Sequence, residues 1–138
     1  MPKTSIKALE AKLKRYLYPL IKKRDGPICI CCGKHITNSR DFHAGHFAKA
    51  ELCSIPYRYD ERNINTSCAY CNLWLRGNTL EYRKGMVKKY GEEITKEIED
   101  NYNKPLPINF DPRTFLEEKI QYYKSLDSLE NHGIQKTM

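Results

Sequence analysis

The sequence predicts an α+β protein in which a short, cysteine-rich middle segment lies between two helical segments. Apolar residues recur every three or four positions at the start of the chain and again after residue 80, as in helices packed on one face. Residues 28–78 lack that period and contain all six cysteines. A chain of 138 residues has room for one modest core, and we divide it at residues 1–27, 28–78 and 79–138.

The first segment is predicted to be a basic helix from about Thr4 to Arg24. The sequence Asp25-Gly26-Pro27 ends it, and Pro19 lies inside it, where either the helix kinks or a second short turn begins. The apolar positions that define its buried face are Ile6, Leu9, Leu13, Leu17, Leu20 and Ile21.

The middle segment is predicted to contain two short strands, a long polar loop and the start of a helix. The strands are placed around Cys29–Ile30 and Phe42–His43, and the helix begins near Cys71. In that helix we expect Trp74 and Leu75 to belong to the core. An apolar core alone cannot stabilise a segment this small and polar, and a bound metal ion can supply the additional stability.

The third segment is predicted to be helical again. One helix contains Tyr82 and ends at Gly91, a second spans about Glu92–Asn101, and an extended linker precedes the last helix. Asp111 and Pro112 read as the cap and the first residue of that last helix.

Charge and composition limit the classes of molecule that this protein is expected to bind. The 24 Lys and Arg residues exceed the 17 Asp and Glu, and residues 1–27 alone hold eight basic and two acidic side chains. Such a basic end favours a polyanion, most commonly nucleic acid, although a solvated helix face explains it equally well. The longest stretch without a charge, Asn63–Leu75, is too polar to span a membrane. With no signal-peptide-like start, we expect a cytoplasmic protein whose cysteines are thiols or metal ligands.

Four of the cysteines form two CxxC pairs, Cys29 with Cys32 and Cys68 with Cys71. Four thiolates in such pairs surround one tetrahedral Zn²⁺, so we predict a structural zinc site. A redox role normally requires a thioredoxin-like βαβ context, which the sequence lacks. Cys31 competes in principle with Cys29 as a ligand, but the two-residue gap favours Cys29. Cys31 and Cys53 are then ordinary thiols.

Two histidines lie between the CxxC pairs. His43 and His46 are three residues apart, and we expect Gly45 between them to allow a bend that brings them together. Asn72 directly follows the second pair, and Asn63 precedes that pair by five residues. These residues suggest a second metal site, whereas a lone histidine is more often structural.

A family resemblance rests on these motifs. Cys29-Ile-Cys-Cys-Gly, Phe42-His-Ala-Gly-His-Phe, Asn63, and Cys68-Ala-Tyr-Cys-Asn followed by Gly77-Asn78 resemble the NinG (Rap) recombination endonucleases of lambda-like phages. The order of the parts also resembles phage endonuclease VII and the wider HNH, or His-Me finger, nucleases. The resemblance covers roughly residues 6–129 and implies a zinc-braced ββα-metal core, flanked by N-terminal and C-terminal helices.

The resemblance also implies roles for single residues. His46 matches the general base, His43 and Asn72 match ligands of a catalytic Mg²⁺ or Mn²⁺, and Asn63 matches the residue that fixes the loop and orients the base. The sequence departs from the HNH pattern at Arg76, where a second ligand on the helix is expected and where a guanidinium cannot bind a cation. A third ligand, Asn78 or Asp41, is left open.

The activity implied is that of a structure-selective DNA endonuclease cutting branched recombination intermediates such as Holliday junctions and D-loops. We expect a homodimer, encoded by a phage or prophage and active on branched or duplex DNA in the bacterial host, with no membrane partner. A non-catalytic zinc-knuckle module and a sequence-specific HNH nuclease are the alternatives. The cations expected to contact DNA are Arg76, Lys49, Arg58, Arg62, Lys22 and Lys23.

Overall fold

The computed structural model describes residues 3–137, and it describes side chains over residues 3–128. Within this range the chain is mainly helical, with one antiparallel pair of strands and a π-helical turn at Tyr70–Trp74. The elements, in chain order, are α1 Ile6–Asp25, β1 Phe42–His46, α2 Ile55–Arg58, β2 Ile64–Cys68, α3 Thr79–Tyr90, α4 Glu92–Asn101 and α5 Pro112–Thr137. The α+β class is therefore confirmed.

The chain forms two compact units. One comprises the residues up to 20 together with those from 108 onward, and the other comprises residues 21–107. In the first unit the helices predicted from apolar periodicity are present, and α1 runs through Pro19 as one element. Asp111 caps α5 by accepting a hydrogen bond from the backbone N–H of Arg113, as the sequence predicts. The buried side chains that the two helices contribute to this unit are Leu9, Leu13, Leu17, Leu116, Ile120 and Tyr123.

The second unit is built around a two-stranded sheet. β1 pairs with β2 in an antiparallel register that runs from Phe42 opposite Cys68 to His46 opposite Ile64. The predicted strand at Phe42–His43 is thus confirmed, but the strand predicted at Cys29–Ile30 is wrong, since only an isolated bridge forms nearby. The real partner strand, β2, lies where we expected a polar loop.

β2 was missed because it is polar and yet completely buried. Asn65, its second residue, accepts hydrogen bonds from Lys89 Nζ at 2.6 Å and from an Arg24 guanidinium nitrogen at 3.0 Å. Its own amide donates to the Tyr82 hydroxyl at 3.2 Å. These partners come from α1 and α3, so several of the hydrogen bonds that stabilise this polar strand in the interior join residues far apart in the chain.

The same network contains a buried carboxylate. Burial opposes the ionisation of Asp25, but hydrogen bonds from Arg24, Lys89 and the backbone N–H of Thr66 outweigh it and lower the pKa of Asp25 below its usual value. An ionised Asp25 therefore links the end of α1 to β2 and α3 at neutral pH.

Behind the sheet, α3 and α4 pack on an apolar cluster that includes three of the four cysteines of the CxxC pairs. The buried members of this cluster are Cys29, Cys31, Ile36, Phe47, Ala48, Cys53, Cys68, Cys71, Tyr82, Met86 and Ile98. α3 approaches the first CxxC loop closely at Gly85, where a Cβ atom would collide with the carbonyl oxygen of Ile30. Among the described residues, no helix has the length and the apolar character needed to cross a bilayer.

We predict that Gly85→Ala destabilises the protein. On an exposed helix this change stabilises by about 1 kcal/mol, but overpacking a close contact costs about 1–3 kcal/mol. Because the obstacle is the backbone carbonyl of Ile30 rather than a movable side chain, we expect a lower Tm by about 3–8 °C in thermal unfolding followed by circular dichroism.

The control for this experiment is Lys88→Ala on the exposed side of the same helix, which should change the free energy of unfolding by less than about 0.5 kcal/mol. A Gly85→Ala protein with a raised Tm would contradict the close packing of α3 on the Ile30 carbonyl.

Candidate metal centre and adjoining cleft

The sulfur atoms of Cys29, Cys32, Cys68 and Cys71 converge at one place and all lie within 4.8 Å of one another. The Sγ atoms of Cys32 and Cys68 are 3.9 Å apart. Four sulfur ligands at 2.3 Å from a tetrahedral ion are separated by about 3.8 Å, so this group is close to the geometry that such an ion requires. The predicted ligand set is therefore confirmed as one that can hold a metal.

The other two cysteines lie outside this group. A hydrogen bond from the Cys31 thiol, above all, lowers the pKa of Cys29 to about 4, and the same bond raises the pKa of Cys31. Cys31 is not among the four converging sulfurs, and its thiol lies 3.7 Å from the carbonyl oxygen of Gly77. Cys53 is buried, and its thiol donates to the carbonyl of Ala48 at 3.3 Å. Burial raises the pKa of Cys53 to about 11, so it stays protonated.

A cleft of about 410 Å³ lies beside the cysteine group. The π-helical turn joins the two, because it contains both Cys71 and Asn72. Turns of this type occur frequently at functional sites. The residues that line the cleft are Ala44, Gly45, His46, Lys49, Ala50, Glu51, Asn72, Leu73, Arg76 and Gly77.

His43 and Asn72 are brought together although they are 29 positions apart in the chain. The amide nitrogen of Asn72 lies 2.9 Å from Nδ1 of His43, and Nε2 of His43 lies 2.9 Å from the carbonyl oxygen of Arg40. A carbonyl oxygen only accepts, so the ring proton is on Nε2 and Nδ1 keeps its lone pair. A histidine oriented in this way by a carbonyl is typical of metal ligands.

His46 is held in the same manner. Its Nε2 donates to the carbonyl oxygen of Arg58 at 2.8 Å, which places the proton on Nε2 and leaves Nδ1 with the basic lone pair. The side chain is half-buried and lines the cleft.

Asn63 holds the loop that follows His46. The buried amide accepts a hydrogen bond from the backbone N–H of Ala48 at 2.7 Å and donates to the carbonyls of Ala48 and Tyr57, both at 3.1 Å. Since Tyr57 directly precedes Arg58, the same amide also positions the carbonyl that orients His46. Asn63 therefore lies outside the cleft but determines the geometry of one wall.

Gly45 has a role that differs from the expected bend, because β1 keeps its register through this residue. A Cβ atom at Gly45 would lie 3.0 Å from Oδ1 of Asn72 and would collide with Oγ of Ser67. Glycine is needed here so that the Asn72 side chain can approach the strand. The Tyr82 hydroxyl, which sequence reasoning did not single out, donates to the Gly45 carbonyl at 2.6 Å and supports the strand from below.

Two of the six cations expected to contact DNA, Lys49 and Arg76, line the cleft. Arg76 has a positive φ of 51°, a conformation that costs a non-glycine residue about 1–3 kcal/mol and that clusters at functional sites. Both side chains belong to exposed residues, so their charges can reach a bound anion.

The other four cations lie elsewhere. The Arg58 guanidinium donates to the carbonyls of Ala50 and Cys53, both at 2.9 Å, and Arg62 pairs with carboxylates of α4 and its own turn. These two arginines therefore hold loops together. The Lys22 ammonium lies 5.3 Å from the centre of the Phe42 ring, and Lys23 is in the exposed last turn of α1.

The residues considered as a third ligand are not in the cleft. Asn78 donates to the sulfur of Cys71 at 3.5 Å, and Asp41 lies in a short turn before β1. Among the described residues that line the cleft, Glu51 is the only one with a carboxylate. It stands in a loop without a recognisable pattern, so no signal in the sequence singled it out.

One expectation about this region is wrong. Trp74 and Leu75 were expected in the core, but they are 80% and 42% exposed. The reason is that the turn which carries them is π-helical and ends after Trp74, so it cannot present the apolar face of an α-helix to the core.

Comparison with known proteins relates the chain to bacteriophage proteins. A family model described as "Bacteriophage Lambda NinG protein" matches residues 3–131. "Protein ninG" of Escherichia phage 933W is 34% identical over 116 residues, which are 80% of this chain and 53% of the relative. The corresponding protein of Escherichia phage lambda is 33% identical over 116 residues, 80% of this chain and 52% of the relative.

The protein of the same name from Salmonella phage P22 is 33% identical over 85 residues, 61% of this chain and 40% of the relative. The chain thus spans about half the length of the first two relatives. No solved structure matches it. The extent of the family match and the shared identity show that the chain belongs to the NinG family of bacteriophage proteins.

Proposed function

We propose that this chain is a metal-dependent DNA endonuclease that cuts branched recombination intermediates, such as Holliday junctions and D-loops. The observation that carries the proposal is the contact of His43 with Asn72, a residue that lines a cleft together with His46, Arg76 and Lys49. A general base, a pair of nitrogen and oxygen ligands and two cations are groups that can promote phosphodiester hydrolysis.

His46 is the general base in this proposal. The Arg58 carbonyl holds the proton on Nε2, so Nδ1 accepts a proton from a water molecule as that water attacks the phosphorus. An unperturbed imidazole has a pKa of about 6.5 and is suited to this task near neutral pH. Asn63 serves as a positioning residue, since it fixes the loop that presents the carbonyl.

His43 and Asn72 would hold a Mg²⁺ or Mn²⁺ ion. The Asn72 amide nitrogen donates to Nδ1 of His43 at 2.9 Å, so the two side chains are adjacent and within reach of one shared ion. The amide oxygen rather than its nitrogen would then face the ion, which requires a rotation of the Asn72 side chain. When bound, such an ion neutralises charge that develops on the phosphate and on the leaving oxygen.

The four cysteines would hold a structural Zn²⁺. Sulfur ligands favour zinc over magnesium, and four of them leave no open position for a substrate. Because Cys71 precedes Asn72 in the same turn, closing this group also fixes the backbone from which Asn72 reaches His43. The zinc is thus a scaffold for the cleft.

Arg76 and Lys49 would bind the phosphate backbone. Both are exposed residues that line the cleft, and the excess of basic residues in the sequence favours a polyanion as the partner. If phosphate contacts dominate, the affinity for DNA falls steeply with salt concentration.

The branched substrate and the homodimer rest on the resemblance to recombination endonucleases. A four-way junction has two-fold symmetry and needs paired cuts, which a symmetric dimer supplies. The activity would take place in the bacterial host cell, where phage DNA recombines.

The zinc proposal predicts that the purified protein carries one zinc ion per chain. A structural zinc site contributes on the order of 10 kcal/mol, which is comparable to the whole stability of a domain. We therefore expect Cys68→Ser to lose the metal and the cooperative thermal transition, as measured by elemental analysis and circular dichroism. Cys53→Ala is the control and should keep its zinc, and a zinc-free Cys68→Ser protein with an unchanged Tm would contradict the scaffold role.

The catalytic proposal predicts that His46→Ala lowers the cleavage rate by about 10²–10⁴-fold, because a general base contributes that much. The assay compares a synthetic four-way junction with a matched linear duplex in the presence of Mg²⁺ or Mn²⁺, and EDTA should abolish cutting. The control is His35→Ala, an exposed histidine that does not line the cleft and should retain full activity.

Other outcomes of this assay separate the alternatives. DNA binding by the zinc-loaded protein without cutting at any metal concentration would contradict the enzyme and favour a non-catalytic zinc module. If the protein cuts one sequence in a linear duplex as readily as it cuts the junction, the result would favour a sequence-specific nuclease.

The dimer is tested by light scattering at micromolar concentration, where we expect twice the mass of the chain. A monomeric mass, also in the presence of a four-way junction, would contradict the paired-cut proposal.

A further inference from the structure

An exposed apolar patch adjoins the cleft. Four of the six residues from 70 to 75 have large apolar or aromatic side chains, and they remain in solvent. We call this group, together with one residue at the start of α3, the Trp74 patch; its members and exposed fractions are Tyr70 59%, Leu73 62%, Trp74 80%, Leu75 42% and Leu80 70%.

Single exposed apolar residues need no explanation, but a cluster of this kind marks a surface that contacts something else. In the part of the chain whose side chains are described, the Trp74 indole forms neither a hydrogen bond nor a ring contact. Within the described part of the chain, no hydrogen bond or ring contact therefore offsets the cost of exposing the indole.

The patch is held on a well-fixed turn. Within this turn the backbone N–H of Leu75 donates to the Tyr70 carbonyl at 2.9 Å, and the N–H of Gly77 donates to the Cys71 carbonyl at 2.8 Å. Cys71 is a member of the four-sulfur group, so the turn is anchored at its centre. The exposure of Trp74 is therefore a property of an ordered element.

The patch is continuous with the cleft, because Leu73 belongs to both. Arg76, two residues beyond Trp74, lines the same cleft together with Lys49. An aromatic surface beside two cations complements a nucleic acid whose phosphates lie in the cleft and whose bases are accessible, since bases stack on aromatic rings and phosphates pair with cations.

A second copy of the chain fits this surface less well. A symmetric contact centred on the Trp74 patch would bring Arg76 and Lys49 of the two copies towards one another. Like charges at such an interface repel, whereas the same charges attract DNA. A perfectly paired duplex is also a poor occupant, because its bases are stacked on one another and present no faces.

We propose that the Trp74 patch stacks on bases whose faces are exposed at the branch point of a DNA whose backbone occupies the cleft. This inference rests on the proposed endonuclease function and adds the physical basis of its selectivity for structure. Bases at a branch point or mismatch are already partly unstacked, so moving them onto Trp74 costs less than it does in a regular duplex. Trp74, with Tyr70 on the same turn, would thereby distinguish branched from linear DNA.

The test uses the fact that Trp74 is the single tryptophan of the chain. The zinc-loaded protein is titrated with a four-way junction, with a duplex containing unpaired bases and with a matched linear duplex, without added Mg²⁺ or Mn²⁺. We expect the first two to quench tryptophan emission and the linear duplex to leave it nearly unchanged. In parallel, Trp74→Ala should lose about tenfold in affinity for the junction but little for the duplex.

Two variants serve as controls. Trp74→Phe retains an aromatic face and should keep most of the preference for the junction. Tyr122→Ala removes an exposed aromatic residue of α5 and should change neither affinity. Because Trp74 is exposed, its replacement should leave the zinc content and the Tm unchanged, and these are measured for each variant.

The proposal is overturned if junction binding leaves the emission of Trp74 unchanged or if Trp74→Ala keeps the full preference. It is also overturned if Trp74→Ala converts a dimer to a monomer without changing the affinity of each chain for junctions, since the patch is then a contact between copies. The failure of this inference differs from that of the proposed function: junction cleavage that needs His46 but not Trp74 contradicts only the patch. Quenching by junctions without cleavage at any metal concentration supports the patch and contradicts only the catalytic proposal.

Discussion

The convergence of four cysteine sulfurs is the constraint on which the rest of this fold depends. It joins the loop after α1 to the end of β2 and to the π-helical turn, three parts of the chain that lie apart in the sequence. A metal ion held by these sulfurs would stabilise a segment that a hydrophobic core of this size could not. The position of Asn72 follows from that anchor, because it is the next residue after Cys71.

The candidate site is organised by backbone carbonyls as much as by side chains. The carbonyls of Arg40 and Arg58 each accept a proton from Nε2 of a histidine, so both imidazoles present Nδ1. Asn63 holds the loop that carries one of these carbonyls. A loop fixed by buried amide hydrogen bonds thus orients His46, and a short turn before β1 orients His43, so the sheet alone does not set the chemistry of either histidine.

The turn that supplies Asn72 also explains the exposed aromatic surface. A flexible loop would bury Trp74 against the nearest apolar group, whereas a turn anchored by Cys71 and closed by its own hydrogen bonds can keep the indole in solvent. Arg76, in its positive-φ conformation, follows shortly after this anchored turn. One short element therefore combines a proposed metal ligand, a cation and an apolar patch.

The sequence by itself determined what depends on local spacing. The CxxC pairs identified the metal-binding group, the three-to-four-residue period identified α1, α3 and α5, and Asp111 with Pro112 located the start of the last helix. Tertiary structure alone decided the rest: that a polar β2 is buried, that Arg58 and Arg62 hold loops, and that Trp74 faces solvent. The physical reason is that the burial of the polar strand β2 depends on hydrogen bonds from residues such as Arg24 and Lys89, which are distant in the chain and leave no periodic signal near Asn65. The Arg58 guanidinium donates to backbone carbonyls, which no side-chain pattern in the sequence identifies.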